Sequence, residues 1–267
     1  MLWEELTCKD FTAAVETSKK VCVLPMGCVE KHGDHLPLGT DMYSVREVAE
    51  KAAEKEPVVV FPYYPFGQIS EACHVKGTIA LKMDTLVTLL DEICDEIHRN
   101  GFEKIILLNF HGGSPDYLRY FCLSGLSEKK EYVKYFIPGP AGTTEAQYKE
   151  YRELLGTNDL GPHGGALETS IMLATCPELV KMDQIKAEES VNLKRLNHLS
   201  KMGIYTGISW YASFPHHFAG DPTPAKAEVG QMWLNERIDY FAKMFKLIKE
   251  DTVSPALQEE FFALSGL

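Results

Sequence analysis

The sequence predicts an α/β fold, specifically a single-domain α/β/α sandwich over residues 1–267 with a mostly parallel central sheet. Short apolar runs typical of buried strands alternate with amphipathic segments of helical period, as in chained strand–helix–strand units. The run 104–110 is apolar nearly throughout, as expected for a strand covered on both faces. No internal repeat, low-complexity tract or convincing linker divides the 267 residues, and this length suits one large domain.

The predicted elements follow one another with few interruptions in the first half of the chain. Strands are expected over 21–25, over the β-branched run 57–62 between two prolines, and over 104–110 and 132–138. Helices are expected over 42–55, from an N-cap at Asp84 to the stop signal Asn100-Gly101, and over 116–126. The second half predicts helices over 164–174 and 225–249, a solvated helix or excursion over 183–200, and a strand over 203–210.

Composition excludes several classes of function. The net charge of -11 argues against a surface for nucleic acid or anionic membrane, because both are polyanions. No stretch approaches the roughly 20 apolar residues of a membrane span, and the first residues do not have the pattern of a signal peptide. The seven cysteines are odd in number and have no CxxC spacing, which is typical of reduced thiols. A cytoplasmic protein with no membrane or nucleic-acid partner is therefore expected.

The stretch EKHGDHLPLGTD (30–41) gathers five potential ligands in a loop: Glu30, His32, Asp34, His35 and Asp41. Carboxylates and imidazoles together suit zinc, manganese or iron(II). Glu30 and His32 share a face if the backbone is extended, and Asp41 returns through the turn that follows. The alternative is a polar loop whose acids cap helices.

His111 follows the strand 104–110 and precedes Gly112 and Gly113, which would let a substrate or an ion approach the backbone closely. Taken alone, this motif is equally compatible with an ordinary turn at a strand end. However, the loop 30–41 also follows a predicted strand. Since ligands bind beyond the carboxyl ends of parallel strands, both motifs are expected at the same edge of the sheet.

PHGGALETS (162–170) is the third motif, with His163 at the start of a predicted helix and Glu168 one turn into it. Glu168 could be a metal ligand and His163 a proton shuttle, although a glutamate in a first helical turn also simply stabilises the helix dipole. His74 lies in a loop where substrate would fit, whereas His216-His217 precede a Pro/Gly-rich stretch interpreted as a connection. Nucleotide-binding glycine motifs are missing.

Together these motifs resemble the creatininase (creatinine amidohydrolase) family. The matching stretches occur in the family's order through about four-fifths of the chain: LPMGCVEKHGDHLPLGTD (24–41), HVKGTIAL (74–81), NFHGGS (109–114), HGGALETS (163–170) and GDPTPAKAEVG (220–230). The resemblance implies an α/β sandwich, a centre of two divalent metal ions (Zn, Mn or Fe), a small-molecule substrate and a homo-oligomer, often a hexamer.

The resemblance also implies residue roles. Glu30 and His32 would each hold one ion, Asp41 would bridge the two, and His111 would join the ion held by Glu30. Glu168 would be a ligand or a nearby catalytic acid, and His163 would transfer a proton to the leaving group. In addition, His35 is expected to support a ligand without binding an ion, and His74, Gly112 and Gly113 to contact substrate.

Two departures from the family pattern affect the expected metal site and the expected substrate. Creatininase follows its metal histidine with Tyr-Glu, whose glutamate is a ligand, and this chain has Gly112-Gly113 there. Either Glu168 is then expected to bind metal directly, or one of the two metal sites is expected to be weaker. This chain also reads NDLGPH where creatininase has tryptophans before its proton-transfer histidine, so creatinine itself is not expected. The expected function is metal-dependent hydrolysis of a cyclic amide or formamide-type C–N bond, with a metal-activated water as nucleophile and His163 as proton shuttle. Alternatives are ring-opening C–C hydrolysis of a keto-cyclitol, peptide cleavage, or metal binding without catalysis.

Overall fold

The computed structural model describes residues 1–266 and contains one parallel sheet within them. Its four strands lie in the order β2–β1–β3–β4, with β1 at Val21–Met26, β2 at Val59–Val60, β3 at Lys104–Asn109 and β4 at Val133–Pro138. Every neighbouring pair of strands is parallel. The predicted fold class is confirmed.

The helices connect and cover the strands. They are α1 (Cys8–Thr17), α2 (Thr40–Lys55), α3 (Met83–Arg99), α4 (Pro115–Ser124), α5 (Glu145–Leu155), α6 (Ala166–Thr175), α7 (Asn197–Ser200), α8 (Ser209–Ser213), α9 (Ala227–Glu250) and α10 (Val253–Ser265). Within residues 1–266, none of these helices has both the length and the apolar composition that a membrane span requires.

Alternate residues of the central strands pack into two separate cores, which makes the sheet the middle layer of three. Val21 and Val23 face a core shared with α2, α6 and α9, whereas Cys22 and Leu24 face a core shared with α1, α3 and α4. All six residues of β1 are buried. Strands covered on both faces need apolar residues at successive positions, which explains the unbroken apolar runs in the sequence.

The order of the strands places the functional loops. The chain leaves β1 toward β2 on one side and leaves β3 toward β4 on the other, so the path reverses between two adjacent central strands. Met26 and Asn109, the last residues of β1 and β3, are register partners. The loops that follow them therefore open from one point, where ligands of α/β sheets bind.

Some predicted elements differ in the structure. Residues 203–210 form turns and the start of α8, so the predicted strand is not present there. The side chains of Ile204 and Tyr205 are more than half exposed, and this segment pairs with none of the four strands of the described sheet. In the run 57–62 only Val59 and Val60 join the sheet, since the flanking prolines have no N–H to donate. The N-cap of α3 is Lys82, so Asp84 lies in the first turn. The predictions also missed α1, α5 and α10, while the excursion over 183–200 consists of short turns and α7.

Candidate metal centre

The loop after β1 folds back on itself and brings three of its polar side chains into the interior. The Glu30 N–H donates to the Leu38 carbonyl at 3.0 Å, which closes the loop just before α2 begins. Asp41 then lies in the first turn of α2, beside Glu30 and His32. The exposed fractions of Glu30, His32 and Asp41 are only 1%, 0% and 4%. Charged side chains are rarely buried to this extent unless a partner compensates them.

Asp41 lies between two sets of side chains. Its Oδ2 is 3.2 Å from His111 Nδ1, which is also 2.5 Å from Glu30 Oε1. Its Oδ1 is 3.3 Å from His32 Nε2, which is 4.0 Å from Glu168 Oε2. We call Glu30, His111 and Asp41 Oδ2 the first group, and His32, Glu168 and Asp41 Oδ1 the second group. Residues from the loops after β1 and β3 and from α6 thus meet as the sequence predicted.

Both imidazoles are held with one ring nitrogen toward the carboxylates and the other toward a backbone carbonyl. His111 Nε2 lies 2.7 Å from the Gln68 carbonyl oxygen, and His32 Nδ1 lies 3.3 Å from that of Glu30. A carbonyl can only accept, so each of these nitrogens carries the proton and donates. The opposite nitrogen of each ring faces the carboxylates, where it can hold a proton or, once deprotonated, offer a lone pair to a metal ion. Metal-binding histidines in proteins are oriented in the same way.

Four buried atoms at the centre have no hydrogen-bond partner among the described residues: Glu30 Oε1, Asp41 Oδ2, His32 Nε2 and His111 Nδ1. The four atoms converge on a small volume, and the two nitrogens join the two oxygens as acceptors once they are deprotonated. An unpaired buried polar atom costs about 1–3 kcal/mol, and converging acceptors repel one another as well. A cation among them would satisfy all four, so the residues present fit a divalent metal ion.

The electrostatics of the cluster also favour a cation. Burial by itself would raise the pKa of Glu30, but His111 and His163 outweigh it and hold that pKa well below its usual value. Burial likewise opposes protonation of His32, yet Asp41 raises its pKa to about 10. Burial raises the pKa of Glu168 to about 7. Either protons or metal ions can therefore neutralise the negative charge of these buried carboxylates.

His163 lies beside the second group and is held by the backbone. Its Nε2 donates to the Lys31 carbonyl at 2.6 Å, and its ring stacks on His32 with a centroid separation of 4.0 Å. Its own backbone N–H and C=O pair with Ala219. Burial and the nearby His32 hold the pKa of His163 well below its usual value, so the ring is a neutral base.

The cluster opens into a cavity of about 760 Å³. Glu30, Asp41, His111, His163 and Glu168 line its floor. Six aromatic side chains line its walls: Phe110, Tyr148, Tyr205, Trp210, Phe214 and Trp233. Within residues 1–266 no lysine or arginine contributes to this lining. The cavity therefore combines a polar, acidic floor with apolar walls, as small-molecule sites commonly do.

The two glycines after His111 differ in their surroundings. Gly112 lines the cavity, and a Cβ there would meet nothing within 4 Å. A Cβ on Gly113 would lie 2.6 Å from His111 Nε2 and 2.7 Å from the Gln68 carbonyl oxygen. Gln68, the hydrogen-bond partner of His111, thus occupies the space that a side chain at 113 would need. A glutamate ligand at this position is incompatible with the observed loop.

Two candidates from the sequence lie away from the two groups. His74 is exposed, is not part of the cavity lining, and donates from Nε2 to the Pro215 carbonyl at 2.8 Å. The structure therefore does not bring His74 to the candidate centre. His35 is buried with its Nε2 2.9 Å from Thr169 Oγ1, on the residue next to Glu168. This placement suits support of α6 and not a direct ligand.

Sequence reasoning missed two residues of the site. His217, interpreted as part of a connection, is 2% exposed, and its Nε2 lies 2.5 Å from Glu30 Oε2. Its only signal was the double histidine before the stretch GDPTPAKAEVG. Cys28 lies beside Glu30 and His111, and burial raises the pKa of its thiol to about 12.

A buried set of carboxylates and imidazoles that opens into a cavity, at the switch point of a parallel sheet, is typical of metal-dependent hydrolases. The family model of creatininase, described as creatinine amidohydrolase, matches residues 4–245. This chain belongs to the creatininase family of hydrolases, which confirms the resemblance of the sequence motifs.

Similar proteins include enzymes with different substrates. Creatinine amidohydrolase of Pseudomonas putida is 31% identical over 197 residues, which cover 68% of this chain and 74% of that protein. The 3-dehydro-scyllo-inosose hydrolase of Thermotoga maritima is 25% identical over 252 residues, or 85% and 77% of the two chains. The mycofactocin precursor peptide peptidase of Mycobacterium ulcerans is 26% identical over 226 residues, or 81% of each.

Solved structures of creatininase share the fold. The manganese form superimposes with a TM-score of 0.77 at 21% identity, covering 94% of this chain and 99% of that one. A mutant creatininase of the Zn-Zn type gives a TM-score of 0.77 at 22% identity, covering 94% and 98%.

Proposed function

We propose that this chain hydrolyses a cyclic amide or formamide-type C–N bond with the help of two divalent metal ions, one held by each group of the candidate centre. The observation that carries the proposal is the position of Asp41. Its two carboxylate oxygens face different imidazole nitrogens at 3.2 and 3.3 Å, and it is surrounded by buried polar atoms that have no partner within residues 1–266.

Each residue then has a definite role. Glu30 and His111 would hold one ion, His32 and Glu168 the other, and Asp41 would bridge them. When bound, such ions lower the pKa of a water molecule and polarise a carbonyl group. The donor set suits zinc, manganese or iron(II), and solved creatininases include Mn and Zn-Zn forms. Three carboxylates offset most of the four positive charges that two divalent ions bring.

His163 is the proposed proton shuttle. Its Nε2–H is engaged by the Lys31 carbonyl, so Nδ1 is the nitrogen that can take up a proton and pass it to the departing nitrogen. Stacking on His32 and the backbone pairing with Ala219 fix the ring in the cavity floor.

The cavity supports a small, uncharged or cationic substrate. A phosphorylated or strongly anionic molecule would meet acidic side chains and, within residues 1–266, no lysine or arginine of the lining. Trp210 and Phe214 provide aromatic walls for a planar group, and the Trp210 ring centroid lies 5.7 Å from that of His163. Trp210 lies in α8 and Phe214 directly follows this helix, so neither comes from the residues before His163. The lack of tryptophans there therefore does not exclude creatinine, and creatinine belongs in the substrate panel.

Ring-opening hydrolysis of a keto-cyclitol is the second candidate. The hydroxyl-bearing residues Thr40, Ser44, Ser209 and Ser213 line the cavity, where they could bond a polyol. The relative that acts on 3-dehydro-scyllo-inosose aligns over 85% of this chain. Peptide cleavage is a further alternative, by analogy with the mycofactocin precursor peptide peptidase. The last alternative is a protein that binds metal without catalysis, and turnover of any substrate in the following test would exclude it.

The test is a panel of cyclic amides including creatinine, formamides, keto-cyclitols and a peptide, assayed with zinc- or manganese-loaded protein. His163→Ala should abolish turnover of the active substrate and leave bound metal nearly unchanged. His216→Ala is the matched control, because the side chain of His216 is 55% exposed. This variant should keep both turnover and bound metal. Loss of metal from the His163 variant would mean that His163 is a ligand. If His163→Ala turns over the substrate at the wild-type rate, then His163 is not the proton shuttle.

We further propose that the chain acts as one domain, 1–267, in the cytoplasm and as a homo-oligomer. All seven cysteines are free. The segment 191–208 exposes large apolar side chains that an isolated monomer would leave in water: Val191, Leu193, Met202, Ile204, Tyr205 and Ile208. Light scattering should therefore give a mass above 30.0 kDa, and Met202→Glu combined with Ile204→Glu should lower it. A monomeric wild type would contradict this proposal.

A further inference from the structure

His217 makes a short contact with Glu30 that resembles the contact of His111 on the other side of the same carboxylate. His217 Nε2 lies 2.5 Å from Glu30 Oε2, and His111 Nδ1 lies 2.5 Å from Glu30 Oε1. Glu30, His163 and His217 could by distance alone form a further set of metal ligands. The distances do not separate a ligand from a hydrogen-bond donor, but the proton positions do.

The proton position on His217 follows from its second neighbour. Trp210 Nε1 lies 2.8 Å from His217 Nδ1, and an indole nitrogen can only donate. His217 Nδ1 is therefore the acceptor, and the neutral ring carries its proton on Nε2. That N–H points at Glu30 Oε2 and donates to it. A metal ion would need a lone pair on Nε2, which this tautomer does not offer.

His111 has the opposite arrangement. Its Nε2–H is donated to the Gln68 carbonyl, so Nδ1 is the nitrogen that faces Glu30 Oε1 and that can offer a lone pair to a cation. Among the described residues, Glu30 Oε1 and His111 Nδ1 have no hydrogen-bond partner, whereas Glu30 Oε2 and His217 Nε2 bond to each other. The two oxygens of Glu30 are thus divided: Oε2 is anchored to the protein and Oε1 is left for a cation.

We propose that His217 is a positioning residue, locked in its tautomer by Trp210, that aims Glu30 at the metal centre and does not itself bind metal. This inference rests on the proposed metal centre. The backbone of His217 has a φ of +51°, which is uncommon for a residue other than glycine and costs free energy that the surrounding contacts must offset. Trp210 also lines the cavity, so the wall that contacts substrate is connected to Glu30 through one imidazole.

The direct test is the tautomer of His217, read from two-bond ¹H–¹⁵N correlations of the imidazole in ¹⁵N-labelled protein. His217→Gln would assign the signals. The expected result is a protonated Nε2 and an unprotonated Nδ1, both in metal-free protein and after zinc is added. An unprotonated Nε2 in the zinc-loaded protein would overturn the proposal, because that nitrogen would then be free to be a ligand.

Metal affinity provides the second readout. His217→Ala should weaken zinc binding by about 10–100-fold, the usual effect of removing a group that orients a ligand. His217→Gln should recover most of the loss, since its amide N–H can still donate to Glu30. Trp210→Phe should give a smaller loss than His217→Ala. Trp3→Phe, which changes a tryptophan outside the cavity lining, should leave the affinity unchanged.

The outcomes separate this proposal from the metal centre itself. If His217→Gln and His217→Ala both lose zinc as severely as His111→Ala, then His217 is a ligand and the proposal is wrong. Unchanged affinity in His217→Ala would also refute it. If the wild-type protein binds no metal at all, the proposed function fails, whereas the Trp210–His217–Glu30 hydrogen bonds remain testable by the tautomer in metal-free protein.

Discussion

Gly230→Ala should destabilise the protein, although alanine is the better helix former. Gly230 lies in α9 where this helix crosses α6, the helix that carries Glu168. A Cβ at position 230 would lie 1.9 Å from the Ser170 carbonyl oxygen and 2.7 Å from the Ile171 nitrogen. Real Cβ contacts stay beyond 3.0 Å, so the two backbones would have to separate by 3.0 − 1.9 = 1.1 Å.

The size of the effect follows from two opposing terms. Replacing glycine by alanine inside a helix stabilises it by about 1 kcal/mol. Overpacking in a well-packed interior costs typically about 1–3 kcal/mol, and a clash between two backbones belongs at the upper end of that range because no side chain can rotate away. The net expectation is a loss of about 2 kcal/mol, or a fall of about 4–8 °C in Tm for a chain of this size.

Urea unfolding of both variants measures this effect. Gly207→Ala is the control, since a Cβ there meets nothing within 4 Å, and its free energy of unfolding should stay within about 0.5 kcal/mol of wild type. Gly230→Ala should also bind metal more weakly, because a displaced α6 moves Glu168 away from His32. If Gly230→Ala is as stable as wild type, or more stable, then close packing of α6 on α9 is not what requires this glycine.

Three further predictions follow from the site and the core. Asp41→Ala should lose metal and turnover together, because one carboxylate serves both groups. If wild type is kept in free metal at 100 times Kd, a chelator should lower its free energy of unfolding by about 3 kcal/mol, which is measured as a lower Tm. The chelator should not change the Tm of Asp41→Ala. A thiol reagent at pH 8 should label exposed Cys8 and Cys73 in the folded protein, and buried Cys22 and Cys94 only after unfolding, since burial also raises the pKa of the latter two.

Each of these three has a clear contrary result. Normal metal content in Asp41→Ala would remove the bridging role. A Tm that does not respond to the chelator would mean that metal does not stabilise the fold. Rapid labelling of Cys94 in folded protein would contradict the packing of the core shared with α3.

The sheet and the position of the site could be predicted because they depend on local patterns. Strands buried on both faces require continuous apolar residues, and those runs stand out at 21–26 and 104–109. Parallel strands place their following loops at one edge, so the proximity of Glu30 and His111 follows from strand order without knowledge of side-chain geometry. Helices such as α10 were missed because their exposed apolar residues, for example Leu264, obscure the amphipathic pattern.

The contact between His217 and Glu30 could not be predicted in the same way. It joins residues 187 positions apart, and it depends on a left-handed backbone at His217 that the sequence does not specify. Likewise, the strand predicted over 203–210 failed because its apolar residues are exposed, and burial depends on tertiary context. The space taken by Gln68 beside Gly113 is a third such feature.

Metal content per chain tests the central claim most directly. The protein would be purified without added metal or chelator and measured by inductively coupled plasma mass spectrometry, before and after reloading with zinc or manganese. We expect about two equivalents per chain in wild type and in His163→Ala, and far less in Asp41→Ala. A wild-type protein that holds no metal and takes up none on reloading would contradict the account.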